Sequence, residues 1–510
     1  MQKMISHSDD LIDVVDAQRI SAFQGLDDAK RGLNGQFPTP KPIAVMMAGT
    51  FGSSPKEITL LDPGAGIGSL TAAFIQETLS RETLPTCITA YAYEIEPMLL
   101  PHLRNTMGLC ETACNSRGVL FRAHVIDRDF VGDARDMLVS GLLANTPSFN
   151  RAILNPPYYK INSNSEARRL LRSAGIETSN IYAGFVALVI KLLTAEGEMV
   201  AITPRSFCNG PYFKPFRDIL IDNMDIRRIH VFHSRSKSFK DDDVLQENII
   251  FHARKSSQQG DITISSSVSG NDPHVEQHIV SKNEVVVPGD ADRVIHITSA
   301  SEDRHVAKRA RGLPCKLSEL GLSVSTGRVV DFRAKTFVVS EPAVNVVPLI
   351  YPRHFRNGQV EWSPEAPLPV SGIIDCSETA DLLVPNDVYV LVKRFTAKEE
   401  KRRVVACVYD PTKIGIKPKH VGFENHLNYF HSEGQGLQLV EAKGLALFLN
   451  SSLVDSYFRQ FSGHTQVNAT DLRAMRYPSA AQLRQMGKSF QVQMPGQDEI
   501  DGIISSVMGC

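Results

Sequence analysis

From residue 57 to residue 255 the chain alternates between short apolar runs and longer stretches with helical spacing. "EITLLDPGAGIG" is an apolar run that stops at a cluster of glycines, and "SLTAAFIQETLS" behind it sets its apolar residues three and four apart. "ITAYAYEIEP" reads as a second strand, halted by Pro97, and "GVLFRAHVIDRDF" as a third after a helical interval. "RAILNPPYY" is a fourth. "NIYAGFVALVIKLLTAEGEMVAITP" predicts a helix, a turn at Gly197 and a fifth strand, and "IRRIHVF" and "ENIIFHAR" add two more. Strands separated by helices imply βαβ units, hence an α/β fold with a doubly wound, mostly parallel sheet. Residues 1–56 read as an N-terminal helical segment, in which "GQFPTPKPIAVMMAGTF" is ordered by prolines and enters a helix near Ile43. The polar stretch "SSQQGDITISSSVSGNDP" marks 256–311 as a connection or peripheral hairpin. From 312 to 510, short β-like runs precede the helical "EAKGLALFLNSSLVDSYFRQF", which predicts a second, mixed α/β domain.

A length of 510 residues exceeds what one core organises, in keeping with this division. A hydrophobic fraction of 42% with 22% charged residues suits a soluble globular protein. No run approaches the roughly 18 uncharged apolar residues that span a bilayer, so no membrane partner is expected. The N-terminus is acidic and lacks an apolar core of the signal-peptide kind. The eight cysteines are scattered. Cys110 and Cys114 form the one close pair, without a second pair to complete a zinc site, so helix packing is expected there and no metal. Scattered thiols fit a reducing compartment and a cytoplasmic location. The net charge, 55 − 56 = −1, argues neither for nor against a nucleic-acid partner. Between Arg205 and Lys240, however, eight lysines and arginines face three aspartates. That excess suits either a phosphate backbone or solvated helix faces.

Candidate chemistry sharpens the picture. Gly64, Gly66 and Gly68 in "DPGAGIG" let a ligand approach the backbone where a strand gives way to a helix. Such a loop serves a dinucleotide, S-adenosylmethionine or merely a tight turn. Glu94, closing the next strand in "AYEIEP", is placed to accept both hydroxyls of a ribose. The tetrapeptide Asn155, Pro156, Pro157, Tyr158 narrows the choice. Consecutive prolines make a stiff bracket that leaves the sheet extended. The Asn155 side-chain carbonyl and a proline carbonyl are two acceptors, suited to an amino group with two N–H bonds, and Tyr158 offers a ring face beside them.

In this order and combination the motifs resemble the gamma group of amino-methyltransferases of restriction–modification systems, which methylate adenine N6 in DNA. The matching segments are "FPTPKPIA", "DPGAGIG", "YEIEP", an acid after the third strand, "NPPY" and "SFKDDDVLQENII", covering about residues 35 to 255. The resemblance implies a Rossmann-like methyltransferase sheet at 57–255 and a target-recognition domain at 312–510. In the second domain "STGRVVDFR", "KRRVVACVY", "ENHLNYF" and "FSGHTQVNATDLR" resemble target domains of that group, and the domain as a whole resembles that of the PstI- and BsuBI-type modification enzymes, which implies a CTGCAG site. By the same resemblance Thr39 closes over the methionine part of S-adenosylmethionine. Asp62 and the glycines Gly64, Gly66 and Gly68 carry the amino-acid end, and Glu94 the ribose. Asp129, rather than Asp127, meets the cofactor's adenine. Asn155 and the Pro156 carbonyl hold the target amine, with Pro157 stiffening the corner, and a flipped-out base lies between Tyr158 and Phe239.

Base extrusion is needed because adenine N6 is tied up in pairing inside a duplex. The transfer then rests on positioning and electrostatics, with no covalent intermediate. Methylation at cytosine C5 would need a cysteine nucleophile, and the sole Pro-Cys dipeptide, at Pro314 and Cys315, lies in the second domain. There, Arg328, Arg333, Lys393, Arg394, Arg402 and Arg403 are candidates for DNA contact, and His464, Gln466 and Asn468 could read base edges. Double-stranded DNA is the expected partner, and any cognate endonuclease a separate chain. A methyltransferase acting on protein glutamine or RNA shares the prolyl corner, but leaves the roughly 200 residues after the sheet without a task. A decayed, non-catalytic DNA-binding protein is the remaining alternative.

Overall fold

A computed structural model describes residues 10–24, 38–140, 147–232, 247–256, 258, 260–298, 301–339, 345–362, 372–396, 400–461, 466–491 and 493–509. The chain divides into two compact units, 1–299 and 300–510. Among the described residues no helix is long and apolar enough to cross a membrane.

The first unit is built on a nine-stranded sheet. Its strands in chain order are β1 (Glu57–Pro63), β2 (Cys87–Tyr93), β3 (Leu120–Ile126), β4 (Phe149–Leu154), β5 (Leu193–Pro204), β6 (Asp225–Phe232), β7 (Asn248–Arg254), β8 (Ile262–Ser267) and β9 (Glu276–Val280). The spatial order is β3-β2-β1-β4-β5-β7-β6-β8-β9. The first five strands of that order are parallel, and β7 runs antiparallel between β5 and β6. Helices cover both faces, as the near-continuous apolar runs of β4 and β5 require. Side-chain alternation sorts those runs. Ala152, Leu154, Met199 and Ala201 pack with α5 (Phe130–Ser140), α7 (Ile181–Leu192) and α8 (Lys214–Asn223). Ile153, Val200 and Ile202 face the layer of α1 (Leu11–Gln24), α2 (Lys41–Ala48), α3 (Ser69–Ser80) and α4 (Leu100–Ser116). The short α6 (Glu166–Ser173) precedes α7. Cys110 and Cys114 are buried in the packing of α4.

Strand order reverses at β1, which has β2 on one side and β4 on the other. The chain therefore leaves the carboxyl ends of β1 and β4 in opposite directions, and a crevice opens there. The stretch expected as a connection or peripheral hairpin holds β8 and β9, a hairpin that pairs in parallel with β6. Its serines masked the alternation: Ile262 and Ile264 point inward while Thr263 and Ser265 are part-exposed.

The second unit is mixed. Described strands form a six-stranded sheet, a five-stranded sheet and a two-stranded ribbon, with helices at Leu439–Leu449, Ser452–Phe461, Ala480–Lys488 and Gln497–Met508. Gly444 and Gly487 let the helices Leu439–Leu449 and Ala480–Lys488 touch backbone to backbone. A Cβ at either would stand 1.8 Å from a carbonyl oxygen of the other helix.

Candidate active site

The crevice contains a cavity of about 230 Å³. Strand β1 delivers the glycine loop to it, and Gly68, in the left-handed conformation, starts α3 without a side-chain cap. Uncapped first-turn amides attract an anion such as a carboxylate. Gly64 and Gly66 line the cavity, and a Cβ at Gly66 would meet nothing within 4 Å. Gly68 does not line it. There the missing side chain lets α3 close onto Leu103, Thr106 and Met107 of α4.

Glu94 follows β2 directly, and the loop is tied to it. The Gly66 amide donates to Glu94 Oε2 at 2.9 Å, and the Glu96 amide to Oε1 at 2.7 Å. Burial pushes this carboxyl above its usual range, against the pull of those backbone donors. Asp62 stands behind the loop, fully buried and not among the lining residues. Thr71 donates to its Oδ2 at 2.7 Å, while Oδ1 has no hydrogen-bond partner among the described residues. Burial raises its pKa to about 7, and the nearby Glu94 adds to the shift.

The opposite wall comes from the ends of β3 and β4. Asp129 lines the cavity and Asp127 does not. One Asp129 oxygen accepts from the Gly132 amide at 3.0 Å and so caps α5, leaving the other edge of the carboxylate toward the opening. Ile95, Phe130 and Phe185 add apolar surface. These three were not singled out in the sequence, although two of them adjoin residues that were: Ile95 follows Glu94 and Phe130 follows Asp129.

Asn155 sits where β4 meets the cavity. Its Nδ2 donates to Thr39 Oγ1 at 3.0 Å, bringing the proline-ordered segment onto the corner. The Tyr158 hydroxyl lies 2.6 Å from Asn155 Oδ1 and 3.1 Å from the Ile202 carbonyl. This fixes which way the Asn155 amide faces. The Tyr158 ring is part-exposed and stands edge-on to Tyr182, with centroids 6.2 Å apart. Thr39, Asn155, Pro157 and the exposed Tyr159 all line the cavity, whereas Pro156 is buried behind them. Phe239 lies outside the described residues.

Among the described residues the basic run after Arg205 does not make one patch, and Arg235, Lys237 and Lys240 lie outside them. Arg205 is buried and paired with Glu247 at 2.9 Å. Arg217, also buried, donates to the carbonyls of Phe207, Asn209, Gly210 and Asp292. Lys214 pairs with Asp218, and Arg227 with Asp225. In the second unit Arg403 is buried beside Thr396, and Arg402 donates to the Asn450 carbonyl at the end of a helix. Both arginines bond within the unit. Arg328 and Arg333 are exposed, Lys393, Arg394, Gln466 and Asn468 part-exposed, and His464 lies outside the described residues. Among the described residues no cluster of His, Cys, Asp and Glu could hold a metal ion.

The donor set fits a zwitterionic amino-acid group joined to a nucleoside. Uncapped helix amides suit a carboxylate, the orphaned Asp62 oxygen suits an ammonium, Glu94 suits ribose hydroxyls, and Ile95 and Phe130 suit a planar base. With the strand order and an amide-bearing prolyl corner, this defines a Rossmann-like methyltransferase. Residues 125–239 match the family described as Eco57I restriction-modification methylase. The chain is 44% identical over 494 residues to the type II methyltransferase M.PstI of Providencia stuartii, covering 96% of each. It is 40% identical over 504 residues to M.BsuBI of Bacillus subtilis, covering 98% of each. The chain belongs to the type II restriction–modification methyltransferases. The solved type IIL restriction-modification enzyme MmeI, in complex with DNA, shares the fold at a TM-score of 0.51 and 12% identity, over 98% of this chain and 74% of that one.

Proposed function

We propose that this methyltransferase moves a methyl group from S-adenosylmethionine to the N6 amine of a flipped-out adenine in double-stranded DNA, at CTGCAG. The observation that carries the reading is Asn155, held at the cavity by Thr39 on one side and Tyr158 on the other. When bound, S-adenosylmethionine supplies an electrophilic methyl on a positively charged sulfur. Asn155 Oδ1 and the Pro156 carbonyl accept the two N–H bonds of the target amine, and so stabilise positive charge as it develops on nitrogen. Thr39 and Tyr158 keep the amide oxygen turned the right way throughout. Tyr158 takes one face of the base and Phe239 the other. Glu94 holds the ribose, Asp129 the cofactor's adenine amine and Asp62 its ammonium. Among the described residues no cysteine lines the cavity, as attack on cytosine C5 would require, and Cys315 belongs to the second unit, paired in a ribbon with Tyr477. The second unit serves as the DNA-reading part, and a cognate endonuclease is a separate chain.

Incubating the protein with labelled S-adenosylmethionine and plasmid DNA, then analysing nucleosides and sequencing methylated positions, tests this. N6-methyladenine at CTGCAG is the expected product. Label in protein or RNA alone would overturn the reading, and N4-methylcytosine would reassign the amine.

Two smaller predictions follow from the hydrogen bonds. Tyr158→Phe keeps the ring and removes the donor to Asn155, so single-turnover methylation falls about tenfold with little change in KM for DNA. A rise in KM with unchanged turnover would make the hydroxyl a binding group instead. Cofactor affinity depends on pH through Asp62. With a pKa of about 7 its carboxyl is neutral in acid, and a bound ammonium favours the ionised form. Affinity therefore strengthens as pH rises toward about 7 and levels off beyond, approaching tenfold per pH unit on the acid side. Calorimetric titration across that range should show the slope, and Asp62→Asn should flatten it while weakening binding.

A further inference from the structure

Four loops far apart in sequence meet on one edge of the second unit. Gly327 donates its amide to the Leu427 carbonyl at 2.8 Å, and the Asn425 amide donates to the Val329 carbonyl at 2.8 Å. Only glycine fits at 327, since a Cβ would stand 2.1 Å from the Glu424 carbonyl oxygen. The Arg394 amide donates to the His426 carbonyl at 2.8 Å, and the Val467 amide to the Arg394 carbonyl at 2.7 Å. This edge carries exposed Arg328 and Arg333, part-exposed Arg394, and two aromatic rings in the open, Phe332 at 77% and Phe395 at 43% exposure. Cations beside exposed rings suit a nucleic acid, whose phosphates and bases call for both.

At its centre lies a buried carboxylate committed to one side chain. Glu424 is 1% exposed, and its two oxygens take the backbone amide of His426 at 2.9 Å and the Nδ1 of the same residue at 2.5 Å. Burying a carboxylate is costly unless it is paired, and here the pairing locks an imidazole that is itself half-exposed. With Nδ1 held inward, the Nε2 edge turns out to solvent beside the Phe395 ring, whose centroid is 4.8 Å away. A ring fixed by a carboxylate on one nitrogen presents the other in a defined direction.

We propose that His426, aimed by Glu424, is a specificity-determining residue that reads a guanine through the major groove, with Phe395 as the apolar contact beside it. This rests on the reading of the second unit as the DNA-reading part. With a hydrogen on Nε2, His426 offers a donor to the O6 and N7 acceptors that mark guanine. Glu424 is a positioning residue and touches no base.

The test uses the full-length protein and its H426A and E424Q variants. Each is given S-adenosylmethionine and plasmid DNA, and all methylated positions are sequenced. Rates are also compared on duplexes in which each G·C pair of the recognised site is exchanged for A·T. His426→Ala should relax one G·C position, reducing discrimination there by about 10- to 100-fold, and leave the other positions sharp. E424Q should blur the same position more weakly. Cofactor affinity, set in the first unit, should not move in either variant. An unchanged motif, or a loss equal at every sequence, overturns the proposal. Wild-type protein that methylates no DNA would instead bring down the proposed function, and this inference with it.

Discussion

Replacing Asn155 by alanine is expected to lower methyl transfer by roughly 10²–10³-fold while leaving S-adenosylmethionine affinity within about twofold, the scale of losing one preorganised polar partner of a transition state. The amine of adenine is a poor nucleophile because its lone pair is shared with the ring. Its reactivity depends on acceptors that are in place before the methyl moves. Asn155 is that acceptor on this reading, and the protein spends two hydroxyls, those of Thr39 and Tyr158, on holding it. Alanine leaves both hydroxyls without the amide and the target amine without its acceptor. Single-turnover kinetics with saturating cofactor, alongside calorimetric cofactor titration, separates the two effects. Undiminished transfer would remove Asn155 from the chemistry. Equal loss of cofactor affinity would move it to the cofactor site.

The second large effect separates two glycines two residues apart. Gly66 and Gly68 both have positive φ, 58° and 88°, so an added side chain strains either by about 1–2 kcal/mol. Their surroundings differ. At Gly66 a Cβ meets open space in the cavity, so Gly66→Ala should cost little beyond that strain and weaken cofactor binding about 10- to 100-fold by occupying the ligand's approach. At Gly68 a Cβ lies 3.0 Å from Leu103 and from Thr106, and 3.1 Å from Met107. Gly68→Ala should therefore destabilise the first unit by about 2–4 kcal/mol, the strain plus overpacking. Thermal melts with and without S-adenosylmethionine report both quantities. If Gly66→Ala proved the less stable variant and bound cofactor normally, the two assignments would have to be exchanged.

What the sequence determined alone is what short-range physics encodes. Apolar runs set strands β1 to β7, and those of β1, β2, β4 and β5 stop at glycine or proline, because a buried strand needs apolar residues on both faces and its end needs a residue that turns the chain. The glycine loop, Glu94 and the prolyl corner were legible for the same reason: each lies at a strand end and its chemistry is local. Strands β8 and β9 were legible only as a connection or peripheral hairpin, since an edge hairpin buries one face and serines can fill the other.

Tertiary structure decided the partnerships. That Thr39 grips Asn155 across 116 residues, and that the Gly66 amide caps Glu94, follow from strand order bringing the ends of β1, β2 and β4 to one crevice. Whether an arginine faces solvent or a buried carbonyl is likewise set by the fold, and Arg217 and Arg403 turned inward where composition suggested a basic surface. Asp129 is favoured over Asp127 from the sequence, and the start of α5 is what brings it to the cavity. Glu424 and His426 open the segment "ENHLNYF", but only burial leaves the carboxylate a single imidazole to hold. A chain writes its local conformations residue by residue, but hydrogen bonds between distant side chains exist only once the sheet order has closed the distance between them.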